Sequence, residues 1–303
     1  MSAFQVSVII PVYNAVKYVR KAVDSALHLP EVKEILLIDD AYPDGAIDVC
    51  RQLERTDEKV KLLTHPGHVN RGPGASRNLG LRNASSEYVA FLDADDWYRP
   101  NRFTETKAIF SADPSVDGVY APVGTFFYGD ELKMFGRLKK KEEGDRHITF
   151  LREETTSSQL FTTLVRMEAG STIHTNGITL KKSLLEKTGL FDESLKLHQD
   201  IHLWVRCAYY GKLVGVTGKE VVAIRGVHGE NRINAINIKS KTLYYQSLYN
   251  FFADKKLDST QRRAVERKYL SLHPRRRFAR SNLVLRNAEM VILWVSLRLK
   301  LIS

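Results

Sequence analysis

The chain has 303 residues, of which 43% are hydrophobic and 27% charged, a globular balance with enough length for one main domain and a smaller appendage. Its two cysteines, Cys50 and Cys207, are far apart, which excludes a disulfide framework or a cysteine zinc site and fits a reducing cytoplasm. The net charge of +11 is uneven: residues 236–303 carry 15 Lys+Arg against 4 Asp+Glu, leaving 31 against 31 in residues 1–235.

In chain order, "VSVIIPVY" (6–13) predicts a strand and "NAVKYVRKAVDSAL" (14–27) a helix capped by Asn14, with Val16, Val19, Val23 and Leu27 at helical spacing. Strand signals recur at 32–40, 59–65 and 88–93, and helix signals at 46–54 and 74–84. Such alternation predicts a mostly parallel sheet flanked by helices, with ligands beyond the carboxyl ends of its strands. After residue 120 the alternation weakens, and "GRLKKKEEGDRH" (136–147) reads as a solvated charge run. Residues 175–213 predict strand, helix, turn and a second helix. From about Lys239 the pattern is helical and basic, through "HPRRRFAR" (273–280) and "NAEMVILWVSLRLKLIS" (287–303). The amino terminus lacks a secretory layout and no run reaches about 20 apolar residues, so neither export nor a membrane span is expected.

Three strand tips carry the chemistry: Pro11-Val12-Tyr13-Asn14, Asp39-Asp40, and Asp93-Ala94-Asp95-Asp96. Carboxylates crowded at a strand end repel one another unless a cation shares them, and hard oxygen ligands suit Mg²⁺ or Mn²⁺ beside phosphates. The bland alternative is that such acids only cap helices and close strands.

"VSVIIPVYN", "LLIDDAYPDG", "GPGASRNLGL", "YVAFLDADDWYRPNR" and "GLFDESL…HQDIHLWVR", in this order, resemble the family-2 glycosyltransferases over roughly residues 5–235. The resemblance implies the GT-A fold in residues 1–235, with a nucleotide-sugar half to about 120 and an acceptor half beyond, followed by a helical extension at 236–303. It implies a donor site in which Pro11 and Tyr13 line the nucleobase pocket, Asp40 bonds the base and Asp93 lies near ribose or sugar, with Asn14 also among the nucleotide-binding residues. Arg77 and Asn78 would hold the nucleotide sugar, and Asp95 would be the principal metal ligand. Core packing is the alternative for Tyr13, and bracing of the acidic tip the alternative for Arg77. One of the adjacent pair Asp39 and Asp40 could merely cap the next turn. That turn, "AYPDG", departs from the family's usual "DDGSTD" pattern through Ala41, Tyr42 and Pro43, leaving the fine geometry of base binding open.

Sugar transfer with inversion needs a carboxylate to take the acceptor's proton, and Asp200 is the candidate; Gln199 replaces the family's usual glutamate beside it. "HQDIH" places His198 and His202 at zinc-helix spacing without the required glutamate, so we read it as a decoy. "IRGVHGENRI" (224–233) resembles a family segment whose histidine completes the metal shell, which nominates His228; its alternative is a histidine that orders the loop. His65 and His68 read as ordinary loop residues. The expected activity is metal-dependent inverting transfer, in the EC 2.4 class, from a nucleotide-sugar donor, most simply UDP-linked, to a glycan or glycolipid acceptor of envelope polysaccharide. The rivals are an aspartate-nucleophile phosphatase, imitated by "FLDADD", a silent scaffold, and a nucleic-acid binder, which the acidic crevice disfavours. The basic tail suggests peripheral contact with the inner face of the plasma membrane, or else packing on the catalytic domain or a homodimer mate.

Overall fold

The computed structural model describes residues 4–128, 156–167, 172–229, 238–272 and 290–296. The amino-terminal part alternates as expected: β1 (Val6–Val12), α1 (Val19–Leu27), β2 (Val32–Asp39), α2 (Ala46–Thr56), β3 (Val60–Thr64), α3 (Gly72–Asn83) and β4 (Tyr88–Phe91). β1 is buried at every position but Pro11, because helices cover both faces of the sheet; its one polar residue, Ser7, is satisfied by donating to Glu34 at 2.7 Å. Its side chains divide between two cores: Ile9 joins Leu36, Phe91 and Trp204, while Val8 and Ile10 join Val19, Val23 and Leu37.

One local expectation fails. Asn14 does not cap α1; it sits in the left-handed region at φ 51°, a turn intervenes, and the helix opens at Val19 after Tyr18. The Asp44 carboxylate accepts from the Val16 amide at 2.9 Å, which stabilises that non-helical entry.

The later elements are β5 (Trp97–Tyr98), α4 (Thr104–Ala112), β6 (Gly118–Tyr120), β7 (Val123–Phe127) and α5 (Ser157–Arg166). A 3₁₀ turn (Thr175–Gly177) precedes β8 (Ile178–Lys181), α6 (Lys182–Thr188), α7 (Gln199–Tyr210), β9 (Leu213–Gly215), β10 (Ala223–Val227), α8 (Ile238–Phe252) and α9 (Ser259–Ser271). The main sheet runs β3-β2-β1-β4-β8-β6-β9; β8 is antiparallel to both neighbours and every other pairing is parallel. A second sheet, β5-β10-β7, places β10 between segments distant in sequence. Strand order steps from β1 to β2 on one side and to β4 on the other, so a crevice opens where their carboxyl ends meet.

Helices α8 and α9 pack onto the preceding elements: Tyr244, Leu248, Phe252 and Val265 share one apolar cluster with Phe161 of α5 and Trp204 of α7. Residues 290–296 are helical, with Leu293 packed on Tyr269 and Leu270. Residues 136–147, 273–280, 287–289 and 297–303, to which the sequence assigns the charge run and most of the basic tail, lie outside the described residues. No helix among the described residues is long and apolar enough to cross a membrane.

Candidate active site

A cleft of about 550 Å³ opens at the carboxyl ends of β1, β2 and β4, within the range of small-molecule sites. Pro11, Tyr13, Asn14, Asp40, Arg77 and Asp93 line one wall, and Asp95, His228 and Asp200 are also on its surface. Of the residues given donor-binding, metal or catalytic roles from the sequence, Asn78 alone does not line it. Its carboxamide is turned away, donating to the Phe191 carbonyl and Glu193 and accepting from the Phe191 amide at 2.9 Å. Asn78 therefore pins the segment before α7 to α3, because this face of α3 looks onto protein rather than onto the crevice.

That wall is built from turns whose orphan amides need acceptors. Gly72, at φ 84°, opens α3, and the Asp40 carboxylate accepts from the Gly72 and Arg71 amides, the latter at 2.7 Å. Asp39 instead accepts from the Ala41 amide and pairs with His68 Nε2 at 2.7 Å. His65 lies 3.7 Å from Asp40 and bonds Ser76 of α3. His65 and His68 thus brace the Asp39-Asp40 turn, a role that ordinary loop composition did not reveal. Tyr13 is 38% exposed rather than packed in the core, and its ring lies 4.5 Å from that of Tyr42. The unusual "AYPDG" turn therefore adds a second aromatic ring at the mouth of this wall.

At the acidic tip each carboxylate has a distinct environment. Arg77 donates to Asp93 at 2.6 Å; enclosure would raise the Asp93 pKa, but the Arg77 charge and hydrogen bond, with His174 and Arg225 nearby, outweigh it and hold it below the ordinary carboxylate value. Asp95 pairs with His228 Nε2 at 3.0 Å, and the His228 ring stacks 4.9 Å from Tyr18. Asp96 is 2% exposed and accepts from the Asn176 carboxamide and from the Gly226 amide at 2.7 Å. Burial, and then the charges of Asp95 and Asp93, push its pKa well above the usual value.

Gly226 makes this junction possible. A Cβ there would lie 2.5 Å from the Asp95 carbonyl oxygen, so only glycine lets β10 approach the acidic tip and deliver His228 to Asp95. Asn176 completes it from the 3₁₀ turn: its Oδ1 accepts from the Asp93 amide at 3.0 Å while its Nδ2 reaches Asp96.

The opposite wall comes from α7. Asp200 lies in its first turn, with one carboxylate oxygen accepting from the Ile201 amide at 2.8 Å and the other without a partner among the described residues. His198, at φ 64°, precedes the helix and lines the cleft, whereas His202 is 2% exposed and packs on Tyr244. Burial pushes the His202 pKa down to about 3. The two histidines thus point to different surroundings, and no group of three or more His, Cys, Asp or Glu that could hold a metal occurs among the described residues.

Sequence reasoning missed His174, Asn176 and Arg225, which flank the acidic tip from the 3₁₀ turn and β10. Arg225 stands three residues before His228 within a quoted motif and could have been found there. His174 and Asn176 carry no local signal, since only the placement of β8 beside β4 brings them to the cleft.

This architecture is shared with solved structures. The TarS protein of S. aureus (residues 1–349, in complex with UDP-GlcNAc) superposes with a TM-score of 0.64 at 17% identity, over 95% of this chain and 79% of that one. The mannosyltransferase PcManGT of Pyrobaculum calidifontis, in complex with GDP-Man and Mn²⁺, gives 0.60 at 19% identity, over 97% of this chain and 75% of that one. Among curated relatives, the minor teichoic acid biosynthesis protein GgaA of Bacillus subtilis (strain 168) is 29% identical over 202 residues, 64% of this chain and 41% of its own length. An uncharacterized glycosyltransferase of Rickettsia felis is 28% identical over 249 residues, 79% of this chain and 37% of its own. The chain thus spans about two-fifths of the length of these two relatives. Residues 7–167 match glycosyl transferase family 2, more than half of the sequence, and with the GT-A architecture around the acidic cleft this chain belongs to the family-2 glycosyltransferases.

Proposed function

We propose that this chain is an inverting, divalent-cation-dependent transferase that moves a sugar from a UDP-linked donor to a hydroxyl of a glycan or glycolipid acceptor in envelope polysaccharide synthesis. The observation that carries this reading is the facing of Asp93, Asp95 and His228 with Asp200 around one cleft, between the nucleotide wall and α7. The UDP-GlcNAc held by the TarS structure and the teichoic acid role in the name of GgaA favour a UDP-sugar and an envelope acceptor.

In this reading the exposed Tyr13 and Tyr42 rings receive the nucleobase, since aromatic faces stack on bases with little sequence demand. Asp40, held by the Arg71 and Gly72 amides, keeps acceptor capacity for an imide N–H of the base. Arg77 orients Asp93 toward the ribose or sugar. Arg225 has no hydrogen-bond partner among the described residues and lines the cleft, which suits a diphosphate oxygen.

The donor set fits a hard cation. Asp95 and His228 approach within 3.0 Å from the ends of separate elements, and Asp93 lines the same cleft, a carboxylate-rich setting that a cation would offset. When bound by Asp95 and His228, Mn²⁺ or Mg²⁺ would supply positive charge beside the diphosphate. Asp200 accepts the proton of the acceptor hydroxyl as that oxygen bonds to the anomeric carbon and the bond from that carbon to the diphosphate oxygen breaks. The phosphatase alternative is disfavoured because Arg77 engages the Asp93 carboxylate that would have to attack.

Attraction to anionic lipid at the inner face of the plasma membrane is part of the same proposal: Val291, Ile292, Trp294 and Val295 are exposed beside a tail with 15 cations against 4 acids. The function is tested by incubating the protein with UDP- and GDP-sugars in Mn²⁺ or in chelator and following release of the free nucleotide. Release from a UDP-sugar only with the cation is expected, and a failure to turn over any nucleotide sugar would overturn the reading.

A further inference from the structure

We infer that His174 is a donor-sugar reader: its Nε2–H hydrogen-bonds an oxygen of the sugar being transferred, between the Asp93 wall and the Asp200 wall. The inference rests on the proposed transferase reading and assigns a residue for which the sequence carries no signal.

His174 precedes the 3₁₀ turn Thr175–Gly177, and its Nδ1 accepts from the Asn176 backbone amide at 3.2 Å. A neutral imidazole with an accepting Nδ1 must carry its proton on Nε2. The ring is neutral at pH 7, because burial and the adjoining positive charge of Arg225 hold its pKa near 4 against the opposing pull of Asp93 and Asp200. No protein group among the described residues accepts from Nε2, and that atom is not among those enclosed without a partner. Since His174 lines the cleft, the N–H is left for whatever occupies it.

The identity of the occupant follows from the neighbours. Asp93, His174 and Asp200 all line the same cleft, which sets the ring on the surface shared by the donor wall and the base. Under the proposed mechanism the group between those two carboxylates is the transferred sugar. An uncharged donor suits a hydroxyl or amide oxygen there, while Arg225 supplies the cation that a phosphate prefers. The ring is also fixed from behind, because Asn176, whose amide it accepts, is itself bonded to Asp93 and Asp96. A fixed donor distinguishes sugars that place an oxygen opposite it from those that do not.

Two substitutions separate the donor from the cap. His174→Asn keeps an acceptor for the Asn176 amide and removes the Nε2–H, whereas His174→Gln reinstates an N–H near the Nε2 position and loses the short cap. With the nucleotide sugar that the wild type turns over fastest, His174→Asn should lower kcat/KM by about 10- to 100-fold. UDP affinity measured by calorimetry should stay within about twofold, and His174→Gln should exceed His174→Asn by about tenfold. Among single-deoxy analogues of that sugar, one should cost the wild type a similar factor while costing His174→Asn almost nothing more. A His174→Asn enzyme equal to wild type, a loss shared equally by all the analogues, or a Gln variant worse than Asn would each overturn the assignment. A wild type that releases nucleotide from no sugar donor would instead defeat the transferase reading, so the two failures are distinguishable.

Discussion

On the nucleotide wall the carboxylates are already engaged: Asp40 by two backbone amides, Asp93 by Arg77, Asp95 by His228, and Asp96 by Gly226 and Asn176. Across the cleft, Asp200 accepts only from its neighbour Ile201 among the described residues. The first arrangement is pre-organised to hold a charged ligand without reorganising, and the second leaves an oxygen open to accept a proton. In the proposed mechanism binding and proton transfer are thereby divided between two parts of the molecule, and substitutions on one wall should leave the function of the other intact.

The largest effect expected from breaking this division is at Asp200. Asp200→Asn should reduce sugar transfer by about 10²–10⁴-fold while UDP affinity, measured by calorimetry, stays within about twofold. Equal loss of both would show that the two walls are not separable. A smaller effect is expected where the nucleotide wall is assembled. Gly226→Ala sets a methyl 2.5 Å from the Asp95 carbonyl, and overpacking of this kind costs about 1–3 kcal/mol, readable as a lower Tm together with weaker cation-dependent UDP binding.

The next test reaches beneath that wall, to Glu34 on β2, which accepts from Ser7, Lys61 and Ser85. Burial would raise its pKa, but Lys61, the Ser85 amide and the two hydroxyls outweigh it and bring the value to about 2, against 4.5 for a free glutamate. A carboxylate with a depressed folded pKa stabilises above the unfolded value and loses that contribution as pH falls through the folded one, here between 4.5 and about 2. His202, with a folded pKa of about 3 against 6.5, acts in the same direction, since only the unfolded chain takes up its proton as pH drops from 6.5. Urea titrations should therefore show stability falling below pH 6.5 and more steeply below 4.5, and Glu34→Gln should cost about 1–3 kcal/mol at pH 7. A variant as stable as wild type at pH 7 would contradict the role given to Glu34. The smallest effect concerns the tail: flotation with anionic vesicles should recover the full chain more strongly than one lacking residues 275–303, and equal recovery would exclude the membrane contact.

How much of this was legible in the sequence differs between the same two walls. The strands from Val6 to Phe91 and their acidic tips follow from period and local composition, so β1, β2 and β4, with Asp40, Asp93 and Asp95, sit where the pattern sets them. Local chemistry overruled pattern at Asn14, where a left-handed turn replaces a helix cap, and at Asn78, whose amide holds Phe191. The remainder was hidden because it depends on pairing between distant segments. β8 enters antiparallel beside β4 and carries Asn176 to Asp96, and β10 joins β5 and β7 to bring His228 to Asp95. A motif indicated which histidine to watch, but only the fold shows that Gly226 makes its approach possible.

The central claim is that a cation and a nucleotide diphosphate share the wall around Asp95 and His228. Calorimetric titration of UDP into the wild-type protein, in Mn²⁺ and then in chelator, tests it most directly. We expect binding in Mn²⁺ at least about tenfold tighter than in chelator, one decade being about 1.4 kcal/mol. Equal affinity in the two buffers would contradict the account.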